Sequence, residues 1–417
     1  IEIVIGSKNK HLFIVNSDGS VQVDYDAEQF LMGTPALGDI DGDEELEIVF
    51  GGYSSPGKLF AINPDGSDVT GFPITLGEKI QRGVALADFN GNSKVDIVLG
   101  TDSGNLWLIY DDGTVADGFP FEAPDDFRSA PSILDINGEK IIFSGNNDNY
   151  LYGINNSGDI IFQFETGGTI NTSPGFVDLE DGIRIFFGSN DGFIYGAKLN
   201  GESIPGWPIN VGNGIQSSPV FSDLDGDGEI EIVTATVGGD LFVMHLDGSF
   251  YHHFPITGSL PFRGSPAIQD LEGDGDLEIL IGGSLGLHII DIKEDSSPDE
   301  NWNMHRGGLE RTGYFQSTHS VLVHHSEVWN LVGLPMDVEN SDYLELFPDA
   351  VQGTLYSFDY NYENESSLNA GTGYWLRFNE EGSDIIAGVP FYSLALLLEE
   401  DWNLISGITN TISIDNI

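Results

Sequence analysis

Four short acidic segments place oxygen-bearing side chains at the same offsets. They are Asp39, Asp41, Asp43 and Glu47; Asp88, Asn90, Asn92 and Asp96; Asp223, Asp225, Asp227 and Glu231; and Asp270, Glu272, Asp274 and Glu278. A glycine separates the second and third ligand positions of each (Gly42, Gly91, Gly226, Gly273). Alternate side chains of a tightly turning loop point inward, glycine permits the turn, and the carboxylate at the ninth position returns from the next strand to close the shell. Ca²⁺ takes about 6–8 oxygens, so the backbone carbonyl at the seventh position and water would complete the set. Asp, Asn and Gly are also ordinary turn residues, and one such loop alone would read as a solvated hairpin. Four in one register point instead to four Ca²⁺ sites.

The loops sit inside a longer repeat. Their first residues align with Asp135 and Asp178 as well, giving Asp39, Asp88, Asp135, Asp178, Asp223 and Asp270 at spacings of 49, 47, 43, 45 and 47 residues. A period in the forties built of short strands predicts a β-propeller with one four-stranded blade per repeat. The first strand of each blade carries Thr34-Pro35-Ala36-Leu37 or its Ser-Pro counterparts, such as Ser218-Pro219-Val220-Phe221. The second is a continuous apolar run after the loop, such as Glu47-Ile48-Val49-Phe50, which suits a strand buried on both faces. The third is typified by Lys58-Leu59-Phe60-Ala61-Ile62, and the fourth begins Gly71-Phe72-Pro73 or Gly206-Trp207-Pro208. Proline there fits an outer edge strand, where no N–H is required.

The second strand recurs seven times, so the expected fold class is all-β: a seven-bladed β-propeller over 1–315, followed by a small β-sandwich domain. Asp135-Ile136-Asn137-Gly138-Glu139 and Asp178-Leu179-Glu180-Asp181-Gly182 are too short to supply a ninth-position ligand and read as plain hairpins. Tolerated loss of individual sites argues for a structural role of the cations. The chain starts inside the first blade, at Ile1-Glu2-Ile3-Val4-Ile5-Gly6, without that blade's inner strand or loop. Blade seven in turn lacks a Gly-Phe-Pro strand. The sequence therefore reads as part of something longer, with an open strand flank through which chains could self-associate.

The Asp39-to-Glu47 type loops, the Ser-Pro strands and the Gly-Phe-Pro strands resemble the FG-GAP/VCBS repeats of secreted bacterial proteins, related to the integrin α-subunit propeller. The segment from Trp302-Asn303-Met304-His305-Arg306 to Thr312-Gly313 resembles the tail that often follows the last blade of such proteins. The resemblance implies the fold, Ca²⁺ and an extracellular or cell-surface setting in a bacterium. It does not imply one function, because a propeller hosts many. Residues 316–326 read as a linker. Beyond it, Trp329-Asn330-Leu331-Val332-Gly333-Leu334 reappears as Trp402-Asn403-Leu404-Ile405-Ser406-Gly407-Ile408. This suggests a β-sandwich module over 327–417 with a second copy starting near 402. It is similar to modules that precede the C-terminal sorting domain of type IX-secreted proteins, which implies that secretion route.

Composition narrows the partners. Against 67 Asp+Glu stand 15 Lys+Arg, for a net charge of −52. Nucleic acid and anionic membrane surfaces are poor partners for that field. No stretch approaches the roughly 18 apolar residues of a membrane span. Cysteine is absent, so no disulfide holds the fold.

Catalytic signals are few: no His-Glu-x-x-His or phosphate-binding loop occurs. His252-His253 and His324-His325 are adjacent pairs whose strand neighbours face opposite ways, so they are poor chelators. Trp107 and Trp207 lie in strand motifs and read as core. One other constellation stands out. The residues leading into the first strands should ring a mouth of the central channel: Met32, Gln81, Arg82, Arg128, Asn171, Gln216 and Arg263. Three of the chain's seven Arg fall here. The plainer reading is pairing with acidic neighbours near the axis; the alternative is a funnel for a sugar or carboxylate.

Three functions remain. The first is a non-enzymatic, Ca²⁺-stabilised extracellular propeller that binds a glycan or protein in adhesion. The second is the accessory region of a secreted hydrolase or lyase. The third is a structural subunit of a surface polymer, completed by strand addition from a neighbour.

Overall fold

The computed structural model describes residues 3–179, 181–258, 262, 264–284, 286–296, 302–338, 340–359, 361–391 and 404–406. Nearly all regular structure is β; a four-residue helical turn, Tyr343–Leu346, is the exception among the described residues. No helix is long and apolar enough to cross a membrane among them.

The chain divides into two compact units. One comprises Ile1–Leu134, Lys140–Val177 and Ile185–Phe315; the other comprises Asp135–Glu139, Asp178–Arg184 and Gln316–Ile417. Seven antiparallel sheets follow one another along the propeller repeats. Blade 2 is typical: Ala36–Gly38, Glu47–Gly51, Lys58–Ile62 and Ile74–Thr75, hydrogen-bonded in chain order. Blades 3 to 6 follow the same order, with first strands Ala85–Ala87, Ser132–Ile136, Gly175–Leu179 and Val220–Ser222. Blade 1 (Ile3–Gly6, His11–Val15, Val21–Asp26) and blade 7 (Ala267–Gln269, Asp276–Gly283, Gly286–Asp295) have three strands each among the described residues. The fourth strand of blades 2, 3, 5 and 6 is only two residues long and begins directly after the proline of an aromatic-Pro pair.

The core lies between blades. Val49, Leu59 and Ala61 of blade 2 pack with Leu86, Ile97, Leu99 and Ile109 of blade 3, and the same layering joins blades 1 and 2, 3 and 4, and 6 and 7. Second strands such as Glu47–Gly51 and Asp96–Gly100 are buried throughout, which is why they read as unbroken apolar runs. The second strands of blades 2 to 5 end in a glycine where the chain entering the next blade crosses. A Cβ on Gly51 would lie 2.2 Å from Ile80, and one on Gly145 would lie 2.3 Å from Ile170.

The first strands would leave their inner backbone groups unpaired, and residues 302–313 satisfy them. Leu37, Leu86, Ile133, Phe221 and Ile268 donate their N–H to the carbonyls of Glu310, Thr312, Gly313, Trp302 and Asn303 at 2.7–3.1 Å. These five donors belong to blades 2, 3, 4, 6 and 7, so one segment stitches most of the ring. Trp302 also meets Phe176 of blade 5 edge-on at 5.6 Å. At the centre, Arg306 is fully buried. Its guanidinium donates to the carbonyls of Arg311 (2.8 Å), Thr312 (3.2 Å), Pro131 (3.2 Å) and Val84.

The second unit contains a four-stranded sheet ordered Val328–Val332, Tyr374–Phe378, Tyr356–Asp359, Asn361–Asn364, and two two-stranded sheets. Val332, Tyr343, Phe347, Leu355, Tyr374 and Phe378 are among its core. The expected linker 316–326 is corrected here. Ser320–His325 is a strand, paired in register with Gly382–Ala387, and Ser320, Val321 and His325 in it are buried. Of the segment expected to start a second copy, 404–406 are described, while Trp402, Asn403 and 407–417 lie outside the described residues.

Candidate metal centres

The four loops fold by one hydrogen-bonding scheme. The first Asp accepts the N–H of the glycine at position four (Gly42, Gly91, Gly226, Gly273) at 2.6–2.7 Å. Its other oxygen accepts the N–H of position six (Glu44, Ser93, Gly228, Gly275) at 2.7–3.2 Å. Positions four and six both have positive φ, which bends the loop back over its own carboxylates. The ninth-position carboxylates Glu47, Asp96, Glu231 and Glu278 are buried. Each accepts the N–H of position two (Ile40, Phe89, Leu224, Leu271) at 2.8–2.9 Å through one oxygen.

The second oxygen of that carboxylate distinguishes the sites. In Glu47 and Glu278 it is buried with no hydrogen-bond partner. A buried, unpaired carboxylate oxygen is costly unless a cation or proton meets it. Burial, with Asp41, Asp43 and Asp39 beside it, raises the Glu47 pKa. In loop three, Glu231 faces His245 Nδ1 at 3.1 Å. Burial and the charge of Asp225 push its carboxyl up to about 7, against the pull of His245. In loop two, Asp96 Oδ1 accepts Asp111 N–H at 2.9 Å, and burial pushes its pKa up to about 6.

Asp39, Asp41 and Asp43 bring carboxylate oxygens within 4.8 Å of one another, as do Asp223, Asp225 and Asp227. In the fourth loop the trio is Asp274, Asp276 and Glu278, and Asp270 and Glu272 stand outside it. Asp276 joins Asp274 and Glu278 of the expected set. The second strand of blade 7 starts at Asp276, two residues earlier in the repeat than Glu47 or Glu231. A register shift falls between Asp276 and Glu278, and their carboxylates gather in one group with that of Asp274. The signal was a short acid at position seven, where the other loops have Glu45, Lys94 and Glu229. Loop two gathers differently: Asn92 Nδ2 donates to Asp111 at 2.9 Å, and Lys94 Nζ lies 3.6 Å from the other Asp111 oxygen. Asp111 comes from the neighbouring hairpin, beyond the loop's own pattern.

The two shortened loops have other work. Asp135 accepts Gly138 N–H at 2.7 Å across a turn with Asn137 at φ 51 and Gly138 at φ 91, the left-handed pair of a type I′ hairpin. Asp178 accepts the N–H of Thr318 (2.6 Å) and His319 (3.0 Å) and the hydroxyl of Ser317 (3.1 Å), all within the second unit. We therefore expect Asp178→Ala to lower the melting temperature without changing ion content, measured by differential scanning fluorimetry beside metal analysis.

The channel-mouth residues are partly paired. Arg128 meets Asp126 at 3.0 Å and Asp102 at 3.5 Å, which is the pairing expected of a mere charge balance. Gln216 donates to Asn190 at 3.3 Å. Gln81 Oε1, Arg82 Nε and Asn171 Oδ1 are buried without a hydrogen-bond partner. Met32 is exposed, and Arg263 lies outside the described residues. The adjacent His252 and His324 pair with Glu294 (3.1 Å) and Glu139 (3.6 Å), while buried His325 stacks on Phe378. Trp207 is buried on Phe186, and Trp107 donates to Glu78 at 3.2 Å.

His305, on the axial segment, is buried beside cations. Burial, then Arg306, Arg311 and Arg82, hold its pKa well below the ordinary histidine value. The unfolded chain takes up that proton near pH 6.5 and the folded chain does not, so stability is full above pH 6.5 and falls below it. Urea unfolding at pH 8 and pH 5.5 should show a loss of about 1 kcal/mol that His305→Gln removes. An equal loss in the variant would refute this.

Residues 39–99 match the FG-GAP-like repeat. That FG-GAP-like stretch runs from the first loop of blade 2 to the second strand of blade 3 and holds the first two loops. No curated protein matches the chain. Among solved structures, BBS1N in complex with ARL6DN is 12% identical over 71% of this chain and 89% of that chain, with a TM-score of 0.52. The Dos1 propeller is 13% identical over 73% of this chain and 77% of that chain, with a TM-score of 0.51. At these identities the likeness carries the fold alone: the FG-GAP-like stretch sits in a β-propeller.

Proposed function

We propose that this is a non-enzymatic, Ca²⁺-stabilised β-propeller that works in binding or adhesion at a bacterial surface. The observation that carries the Ca²⁺ reading is the unpaired second oxygen of buried Glu47 and Glu278, each at the base of an acidic loop. Asp39, Asp41, Asp43 and Glu47 would hold one ion; Asp223, Asp225, Asp227 and Glu231 another; Asp274, Asp276 and Glu278, with Asp270 and Glu272 nearby in sequence, a third. Asp88, Asn90, Asn92 and Asp96 would hold a fourth, weaker because Lys94 already offsets Asp111. Bound Ca²⁺ would supply charge neutralisation and cross-linking. The setting follows from acidity and from millimolar Ca²⁺ outside cells, which such sites require.

Ion counting tests it. Asp225→Ala and Asp274→Ala should each lose one Ca²⁺ per chain by atomic emission, while Asp135→Ala loses none. Equal counts in all three would refute the assignment. A glycan and protein array probed with and without Ca²⁺ tests the binding role.

The surface-polymer reading also has an observation behind it. Among the described residues blades 1 and 7 have three strands, and Ile3, Ile5, Leu287 and Ile289 on their edge strands are exposed. Such flanks accept a strand from a neighbour. Concentration-dependent sedimentation would support it.

A further inference from the structure

We propose that the outward face of the four-stranded sheet in the second unit binds a glycan that carries a carboxylate. Strand alternation divides that sheet sharply. Val332, Tyr374, Leu376 and Phe378 face the core. The residues between them face out, where Trp329, Tyr356, Tyr362 and Trp375 line a groove of about 520 Å³. Trp375 is the cross-strand partner of both Leu331 and Tyr356, and Trp329 is that of Arg377. The Trp329 and Tyr356 rings lie 6.0 Å apart and are inclined at 53°. Trp329 is 47% exposed and Tyr362 is 62% exposed. Large aromatics left outside a core that is already filled are the mark of a recognition surface.

The occupant follows from composition and charge. Flat rings with electron-rich faces attract the C–H faces of pyranose rings, and four aromatic side chains line the groove, with exposed Leu331 on the same face. By register no Asp or Glu falls on this face, in a chain where acids outnumber bases 67 to 15. Arg377 does fall on it. It is exposed, and no described acidic side chain lies within 4 Å of its guanidinium. A guanidinium fork with no acidic partner among the described residues, beside a stacking groove, fits a sugar carboxylate in two parallel hydrogen bonds. The net charge elsewhere does not forbid this, because screening confines exposed fields to about 8 Å at physiological salt.

The inference rests on reading the protein as a binding protein. Its test uses the full chain in Ca²⁺ and physiological salt. Hexamers of galacturonate and of mannuronate, a hyaluronan hexasaccharide, and cellohexaose as the neutral comparator are titrated while tryptophan fluorescence and heat are followed. At least one uronate oligomer should bind more tightly than cellohexaose. Trp329→Ala should weaken it at least tenfold and Trp329→Phe much less. Arg377→Gln should erase the preference over cellohexaose. Melting curves and Ca²⁺ counts on the same samples separate failure here from misfolding or from failure of the cation loops, and exposed Tyr362→Ala provides a second variant should Trp329→Ala misfold. Absence of uronate binding, binding unchanged in a folded Trp329→Ala or Tyr362→Ala, or a uronate preference surviving Arg377→Gln would overturn it. So would a dimer that Trp329→Ala dissociates, since a second copy would then be the occupant.

Discussion

Stripping divalent ions with EDTA should lower the melting temperature by about 10 °C, and millimolar Ca²⁺ should restore it. Each ion that binds only the folded state adds RT ln(1 + [L]/Kd). With Kd near 10⁻³ M, as in extracellular modules, and Ca²⁺ tenfold higher, a site contributes about 1.4 kcal/mol. Four sites in one cooperative ring give about 6 kcal/mol, which the unfolding entropy of a ring this size converts to a shift of ~10 °C. The direction follows from the structure, because three of the four loops gather three carboxylates and all four have a buried carboxylate at the base. Removing the cation leaves them to repel across a desolvated gap. Identical melting curves for metal-free and Ca²⁺-loaded protein would sink the structural role.

Arg306→Met should be the most damaging single change. Its guanidinium serves four backbone carbonyls, from blade 3, blade 4 and the axial segment itself. Methionine removes every donor and leaves those carbonyls buried, at about 1–3 kcal/mol each. A loss of more than about 4 kcal/mol follows, enough to unfold many domains outright. Arg306→Lys should recover only part, since a three-donor ammonium cannot span carbonyls arranged around a planar fork. Urea denaturation of soluble protein, or partition into the insoluble fraction, measures both. A variant as stable as the parent would show that the axial segment is passenger rather than linchpin.

What could be read in the chain was whatever is local. The Asp39-to-Glu47 offsets, the Gly turns and the apolar second strands each lie within a dozen residues, and they specified loops, strands and the propeller. The strand at Ser320–His325 escaped because its burial does not alternate and its partner, Gly382–Ala387, is remote. Asp276 escaped because its role depends on where a strand begins. Asp178 looked like a relic of a lost loop, yet it anchors residues 317–319. Arg306 looked like one element of a tail motif. Only the fold shows that it meets carbonyls of residues far earlier in the chain, because no pattern of spacing encodes what shares an axis.

The axial segment also sets a schedule. Arg306 bonds Pro131 and Val84 across separations of 175 and 222 residues. A ribosome adds about 5–20 residues per second, so the early blades exist for roughly ten seconds or more before their central partner is made. Throughout that interval the inner N–H groups of Leu37, Leu86 and Ile133 have no acceptor from the segment that later receives them. Contacts of such long range make for slow folding. The ring is therefore a structure finished from its last-made part inward, and a nascent chain remains extendable and threadable until residues 302–313 arrive.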